Sequence, residues 1–529
     1  MKKKLCLILA VLLSFSGNII SKPKADTTQY AEWLDSLSSS YKVVQGNVFL
    51  LTNSACSTFI SIFDSCFGQN PSSPYIIPQL PIENSYVDPY YAVPLNSPGP
   101  DGTTNIIYRL SNNDALIAIV AYPPRGAYFG YQSYVFTRAS SNYAGITPPV
   151  PRKLSPDPSR YEIFGSIGND INNVIVQNQC GVAPWGGTVV MYISTSNKNL
   201  AKVLADKAIE FGINKNSIFI EPIGSNVITG NGAPADDMMT LMRYAVPEST
   251  NAGNAWLNNI NKNVLIYKVS NNKVKVSRYD QNTYTPHVVN HKETTHHPYL
   301  SKALNQLSTL LKNYLTQKQS TPSKLRATTP LTHTDSDGEP TSGLVGSYCI
   351  QYGTLCQGDN QDTSTYAALT LKNLGPQETA FIAGVNHNVV HLNNTHYVTV
   401  DIYNTSDLTG VGGISQTNPI AAGFNSGVLT GSAQAVLKTL KISISENYHE
   451  LKKNIESLYI TFIARNINNP TIKSISKYGI NLQGTSLVPA GNAISVAERS
   501  YVVPCTTTGG DLNYMLYPIV IAASQDFID

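Results

Sequence analysis

TVVMYISTSNKNLAKVLADKAIEFGINKNSIFIEPIG (188–224) is the stretch on which the fold reading turns. TVVMYIST (188–195) and SIFIEPIG (217–224) are short runs rich in β-branched residues, which suit a pleated, half-buried surface. Between them, NKNLAKVLADKAIEFG (197–212) sets Leu200, Val203, Leu204, Ala208 and Phe211 on one helical face. Gly212 stands where a helix takes its C-cap glycine. Strand, helix and strand in that order predict a βαβ unit, two parallel neighbours joined by a right-handed crossover.

Working upstream, NIIYRL (105–110), ALIAIVAY (115–122) and YFGYQSYVFTR (128–138) read as three strands of a meander, with turns at 112–114 and 123–126. DTTQYAEWLDSLSSSYKVV (26–44) opens with a helix. The Pro-rich QNPSSPYIIPQLPIENSYVDPYYAVP (69–94) is expected to cross the surface, because each proline removes a ladder donor. Downstream, PADDMMTLMRYAV (234–246) reads as a second helix with Asp236 and Asp237 in its first turn. LSKALNQLSTLLKNYL (300–315) puts Leu300, Leu304, Leu307 and Leu311 on one face and closes the first domain.

A polar run, QKQSTPSKLRATTPLTHTDSDGEPTSG (317–343), then separates two domains. Beyond it, AFIAGV, HYVTVDIYN, SLYITFIARN, SYVVPC and YPIVIAA are short β-rich segments split by Asn, Gly and Pro, a sandwich-like pattern. Residues 433–456 hold one or two helices. The fold class expected is therefore α+β. A mixed domain over 26–318 carries the βαβ unit, a linker or exposed loop covers 319–343, and a mostly-β domain covers 344–529. No long internal period is visible.

The first residues address the chain. Lys2, Lys3 and Lys4 precede an apolar run from Leu5 to Phe15, too short to span a bilayer and followed at once by polar residues. This is the pattern of a secretory signal over 1–25, and it predicts an extracellular or periplasmic protein with no stable membrane insertion. The formal charge of the whole chain is +3, with 37 basic and 34 acidic residues. The five lysines before Asp26 account for that excess, so the mature chain comes out slightly acidic. No basic run remains to favour nucleic acid. Charged residues are only 13% of the chain, against about 25% in an average domain.

Six cysteines follow the signal: Cys56, Cys66, Cys180, Cys349, Cys356 and Cys505. An even number in an exported chain favours disulfides over metal or redox chemistry. Six cysteines allow about fifteen connectivities, and sequence does not choose among them. The local pairs Cys56–Cys66 and Cys349–Cys356 are the easiest loops to close, a choice that would leave Cys180 to meet Cys505.

Motifs with chemistry are few. HVVNHKETTH (287–296) and HNVVHLNNTH (387–396) each hold three histidines at the same spacing. His387 and His391 stand four apart, but Asn388 occupies the place of the catalytic glutamate in H-E-x-x-H, so a zinc-protease reading fails. No cofactor is expected. Zinc on His387, His391 and His396 is the metal site to test, against the plainer reading of surface or hydrogen-bonded histidines. GFNSG (423–427) and FGSIG (164–168) miss the serine-hydrolase spacing, and HTDSDGEPTSGL (333–344) lacks both end ligands of a calcium loop. On the aromatic strand, Arg125 at a stiff turn with Tyr128, Tyr131 and Tyr134 offers a surface for a sugar or a protein, against the plainer reading of aromatic core.

Two functions stay open. One is a secreted, disulfide-stabilised, non-enzymatic protein that binds an extracellular protein or glycan. The other is an exported hydrolase whose active site follows no short motif, with the histidine clusters as possible metal ligands.

Overall fold

The computed structural model describes residues 27–81, 104–148, 151–177, 185–288, 293–318, 326–328, 333–334, 340–341, 345–356, 358–371, 374–375, 378–388, 395–417, 425–465, 468, 470–482, 488–489 and 492–524. The N-terminal signal, most of 317–343, Cys180 and His391 lie outside these residues.

The strands of the first half are β1 (Lys42–Gln45), β2 (Asn47–Leu50), β3 (Tyr75–Pro81), β4 (Thr104–Asn105), β5 (Asp114–Ala121), β6 (Gly126–Ala139), β7 (Lys153–Leu154), β8 (Arg160–Ser166), β9 (Val189–Thr195), β10 (Ile218–Pro222), β11 (Asp237–Pro247) and β12 (Val264–Ser270). Those of the second are β13 (Arg326–Thr328), β14 (His333–Thr334), β15 (Pro340–Thr341), β16 (Thr363–Leu371), β17 (Glu378–Val385), β18 (Tyr397–Asn404), β19 (Thr409–Ser415), β20 (Asn425–Val428), β21 (Leu458–Ala464), β22 (Gly479–Asn481), β23 (Ile494–Tyr501) and β24 (Ile519–Ser524). With helices between them, the protein is a mixture of α and β. β9 and β10 pair in parallel, and the helix Lys198–Glu210 lies between them in the chain. Its buried Leu200, Leu204 and Ala208 pack on the sheet.

The first half holds one sheet in the order β1-β12-β5-β9-β10 and another in the order β2-β3-β11-β6-β8-β7, with β4 on β3. The second half holds β13-β24-β17-β21-β22 and β16-β23-β18-β19-β20. The orders correspond strand for strand: β12-β5-β9-β10 matches β24-β17-β21-β22, and β3-β11-β6-β8 matches β16-β23-β18-β19. The sense of pairing matches too, with β9/β10 and β21/β22 both parallel. The chain thus repeats its topology although its sequence shows no long period.

Four expectations change. Residues 237–247 form β11, not a helix. Every residue of it is buried, so both faces are apolar or internally paired and the run carries no strand alternation. β5 and β6 are not adjacent in a meander: Pro123 and Pro124 carry the chain from one sheet to the other. Tyr75–Pro81 is not a surface crossing but the buried β3. It pairs with β11 only at Tyr75 and Ile76, so Pro78 and Pro81 lie beyond that ladder. The helix Pro298–Lys318 does not close the first half. Its Leu300, Leu304, Leu307 and Leu311 pack with Phe381, Val385, Leu437 and Leu458 of the second.

Cys56–Cys66 and Cys349–Cys356 are disulfides, and Cys505 is disulfide-bonded. The protein is expected to show no free thiol after denaturation. Replacing Cys349 and Cys356 by serine is expected to cost about 2 kcal/mol, the low end for a bridge that closes so short a loop. Denaturant titration checks the second value and Ellman's reagent the first; two reactive thiols would contradict the pairing.

Candidate functional site

Where the two halves meet, β11 and β6 of the first face β23 and β18 of the second with polar side chains. Arg243 stands on β11 opposite Tyr75 of β3 and Gly130 of β6. Its guanidinium donates to the hydroxyls of Tyr75 and of Tyr501 on β23. It also lies over both rings, 4.3 and 5.0 Å from their centroids, a cation–π arrangement. Gly130 in turn leaves room for the Tyr128 side chain, which a Cβ there would meet. From β23, Arg499 donates to the Gly68 carbonyl at 2.9 Å and stands 3.8 Å from Asp401. Burial pushes Asp401 up to about 6 despite the arginines beside it.

Tyr128, Tyr397 and Tyr501 pack together on this seam, with ring centroids 4.7 to 6.3 Å apart. The Tyr128 hydroxyl lies 2.7 Å from Asp362 and 3.2 Å from Asp170. One hydroxyl proton serves one acceptor at a time, so a proton held on Asp170 relieves the second contact. Burial, then the charge of Asp362, raises Asp170 well above the carboxylate range. Chemically this is two carboxyl groups and one phenol holding a proton between them, with Asp170 only 2% exposed.

A second buried chain runs inside the second half. His387 Nδ1 meets Glu293 at 2.6 Å and Nε2 meets Glu498 at 2.9 Å. The Tyr459 hydroxyl donates to Glu498, and the Leu516 amide donates to Glu293 at 2.9 Å. Tyr459 crosses Gly384 on the neighbouring strand, where a Cβ would collide with it. Burial alone would lower the His387 pKa, but the two glutamates outweigh it and leave it at about 10. His387 is therefore an imidazolium clamped between carboxylates.

That clamp bears on the metal reading at His387 alone. Both ring nitrogens of His387 are engaged, so it has no lone pair for zinc. His391 lies outside the described residues, and burial lowers the pKa of His396 elsewhere in the core. Among the described residues, no group of three His, Cys, Asp or Glu is arranged to hold a metal ion.

The aromatic strand is likewise interior. Tyr128, Tyr131 and Tyr134 are at most 1% exposed, because β6 is covered on both faces. Tyr131 stacks on Tyr192 and shares a hydrogen bond of 2.7 Å with Ser194, and Tyr134 donates to Asn360. Only Arg125 reaches solvent, paired with Glu248 at 2.9 Å.

Arg243, Arg499, Asp170, Asp362, Glu293 and Glu498 escaped the sequence reading. One signal pointed to three of them, Arg243, Asp362 and Arg499. CFGQNPS (66–72) resembles CQGDNQD (356–362), and RYAVP (243–247) resembles RSYVVP (499–504).

No protein-family model matches the chain, and no curated protein matches it. Among solved structures it is similar to an uncharacterised protein of Burkholderia cenocepacia, at 8% identity and a TM-score of 0.33, over 94% of this chain and 88% of that one. It is also similar to the VPA0106 protein of Vibrio parahaemolyticus, at 7% identity and a TM-score of 0.32, over 78% of this chain and 86% of that one.

Proposed function

We propose that the protein is exported through its N-terminal signal and acts as a disulfide-stabilised, non-enzymatic binding protein for an extracellular protein or glycan. In this reading it is built of two parts that share one strand order, the first with the β9–helix–β10 crossover as its βαβ unit. The observation that supports it is burial. The described clusters of titratable groups turn their polar atoms on one another: Glu293 and His387 are 0% exposed, Glu498 1%. Groups so engaged hold a scaffold together, and recognition then falls to the outer surface. No helix of the described residues is long and apolar enough to cross a membrane, and the disulfides fit an oxidising compartment.

The open groove of about 440 Å³ along the helix Pro298–Lys318 is the surface assigned to the ligand in this reading. Ser301, Lys302, Asn305, Thr309 and the ring of Tyr448 line it. An aromatic face beside amide and hydroxyl groups suits a sugar. Full-length mature protein applied to an immobilised glycan panel is expected to bind saturably, and Asn305→Ala with Tyr448→Ala to abolish binding while the variant still unfolds cooperatively, at a lower temperature because Tyr448 also packs on the core. Equal binding by the double variant removes the groove from the reading. Turnover of ester, peptide or glycoside substrates, abolished by Asp170→Asn, replaces it with the hydrolase.

A further inference from the structure

We infer that the chain is a fused pair of one structural unit, residues 28–270 and 298–524, in which each unit grips the other through a Cys-x-Gly-x-Asn clasp. The docking surface of either unit is thus shaped to receive a second copy of that unit.

The correspondence reaches single hydrogen bonds. In the first unit, CFGQNPS (66–72) follows the helix Asn53–Phe63 and is tied back to it by Cys56–Cys66. In the second, CQGDNQD (356–362) follows the helix Gly346–Tyr352 and is tied back by Cys349–Cys356. Gly68 and Gly358, at the same place in each motif, have φ of +62° and +77°. The first clasp seats on the second unit: the amide of Cys66 donates to Asp407 O at 2.9 Å and that of Gly68 to Leu408 O at 3.0 Å. The second seats on the first unit in the same way. Cys356 donates to Ile163 O and Gly358 to Phe164 O, both at 2.8 Å.

Next in each motif, Gln69 accepts from the Gly410 amide at 3.0 Å, and Asp359 accepts from the Ser166 amide at 2.9 Å. The carbonyl-bearing residues Leu408 and Phe164, each two before that amide, are both non-glycine residues at positive φ, 52° and 38°. Three places after Gln69 and Asp359, Ser72 Oγ lies 2.7 Å from the Tyr397 hydroxyl and Asp362 lies 2.7 Å from that of Tyr128.

The strands beneath agree in register. Arg243 pairs with Gly130, two past Tyr128, and Arg499 pairs with Thr399, two past Tyr397. Val246 and Val502, three past each arginine, both take positive φ, 49° and 53°. A shared sheet order alone imposes none of these contacts. They are reciprocal, as at a two-fold interface, where residue i meets j and j meets i. A clasp without a partner would also leave its amides without acceptors, which a folded chain avoids. The copies differ at one position that matters: Asp362 stands where the first clasp has Ser72, which places the carboxyl pair with Asp170 on one side of the seam only.

The test uses the full chain with a protease site inserted within 289–292 and Cys505→Ser, so that no cross-link through that cysteine holds the pieces. After cleavage of the folded protein, native mass spectrometry is expected to show both pieces in one particle of uncut mass. Adding Gly68→Val and Gly358→Val forces a β-branched residue into positive φ at both clasps and is expected to weaken association by about 100-fold or more, a few hydrogen bonds' worth. Pieces that separate with intact clasps overturn the inference, as do pieces held equally tightly without them. Should the valine variant not fold, hydrogen exchange on the unaltered chain decides. The amides of Cys66, Gly68 and Gly410 are expected to match those of Cys356, Gly358 and Ser166 within about tenfold, all slow. One set exchanging as a free loop refutes reciprocal docking.

Discussion

Replacing His387 by alanine is expected to destabilise the protein by about 3–5 kcal/mol, the cost of breaking a buried ion pair from one side. The side chains of His387, Glu293 and Glu498 are all 0% exposed. Removing the imidazolium leaves two carboxylates facing each other without their shared cation. Each would then have to take up a proton or admit water. His387→Gln keeps much of the volume and offers an amide donor to one glutamate, so a smaller loss is expected. The denaturant midpoint at constant m-value measures both. A loss below about 1 kcal/mol for the alanine variant would mean the carboxylates are satisfied by other means.

The same clamp sets how stability responds to pH. The folded His387 pKa of about 10 stands above its ordinary 6.5, so the folded state binds the extra proton between those values. Its stabilisation is fully present below the unfolded pKa and is lost as pH rises toward the folded one. Between about pH 7 and pH 9 the protein is expected to lose roughly 1 kcal/mol per pH unit, with His387→Gln flattening that slope. Glu162, pushed up by burial to about 7 despite its Lys153 partner, adds in the same direction at the lower edge of the window. Burial depresses His287 and His396 instead. Their effect runs the opposite way and ends near the ordinary histidine value, which keeps it out of the alkaline window. A flat wild-type profile from pH 7 to pH 9 would show that His387 is neutral in the folded protein.

Secondary structure was legible where residue type or spacing marked the element. The helix Lys198–Glu210 announces itself by Leu200, Leu204 and Ala208 at helical spacing, and β17, β18, β21 and β24 by β-branched runs between turn residues. Legibility failed where an element is covered on both sides and also lacks a β-branched run. The Met-rich 237–247 run reads as a helix because a fully buried strand has no solvent face to mark its period of two. The candidate sites failed for a related reason. Arg243 and Tyr501 are far apart in the chain, and so are His387 and its two glutamates. No window of sequence holds such a group.

The sequence by itself determined that the protein mixes helices with β-strands, because that depends on residue type and periodicity. It made Cys56–Cys66 and Cys349–Cys356 the easiest bridges to close, and the folded chain selected them. The sequence also held the repeated Cys-x-Gly-x-Asn motif. What that motif does was decided only by tertiary structure, because each clasp finds its carbonyl acceptors on the other half of the chain. The same holds for the helix Pro298–Lys318, whose leucine stripe specifies an apolar face but not the sheet it covers. Hydrophobic burial is non-directional; which surfaces meet is fixed when the whole chain packs.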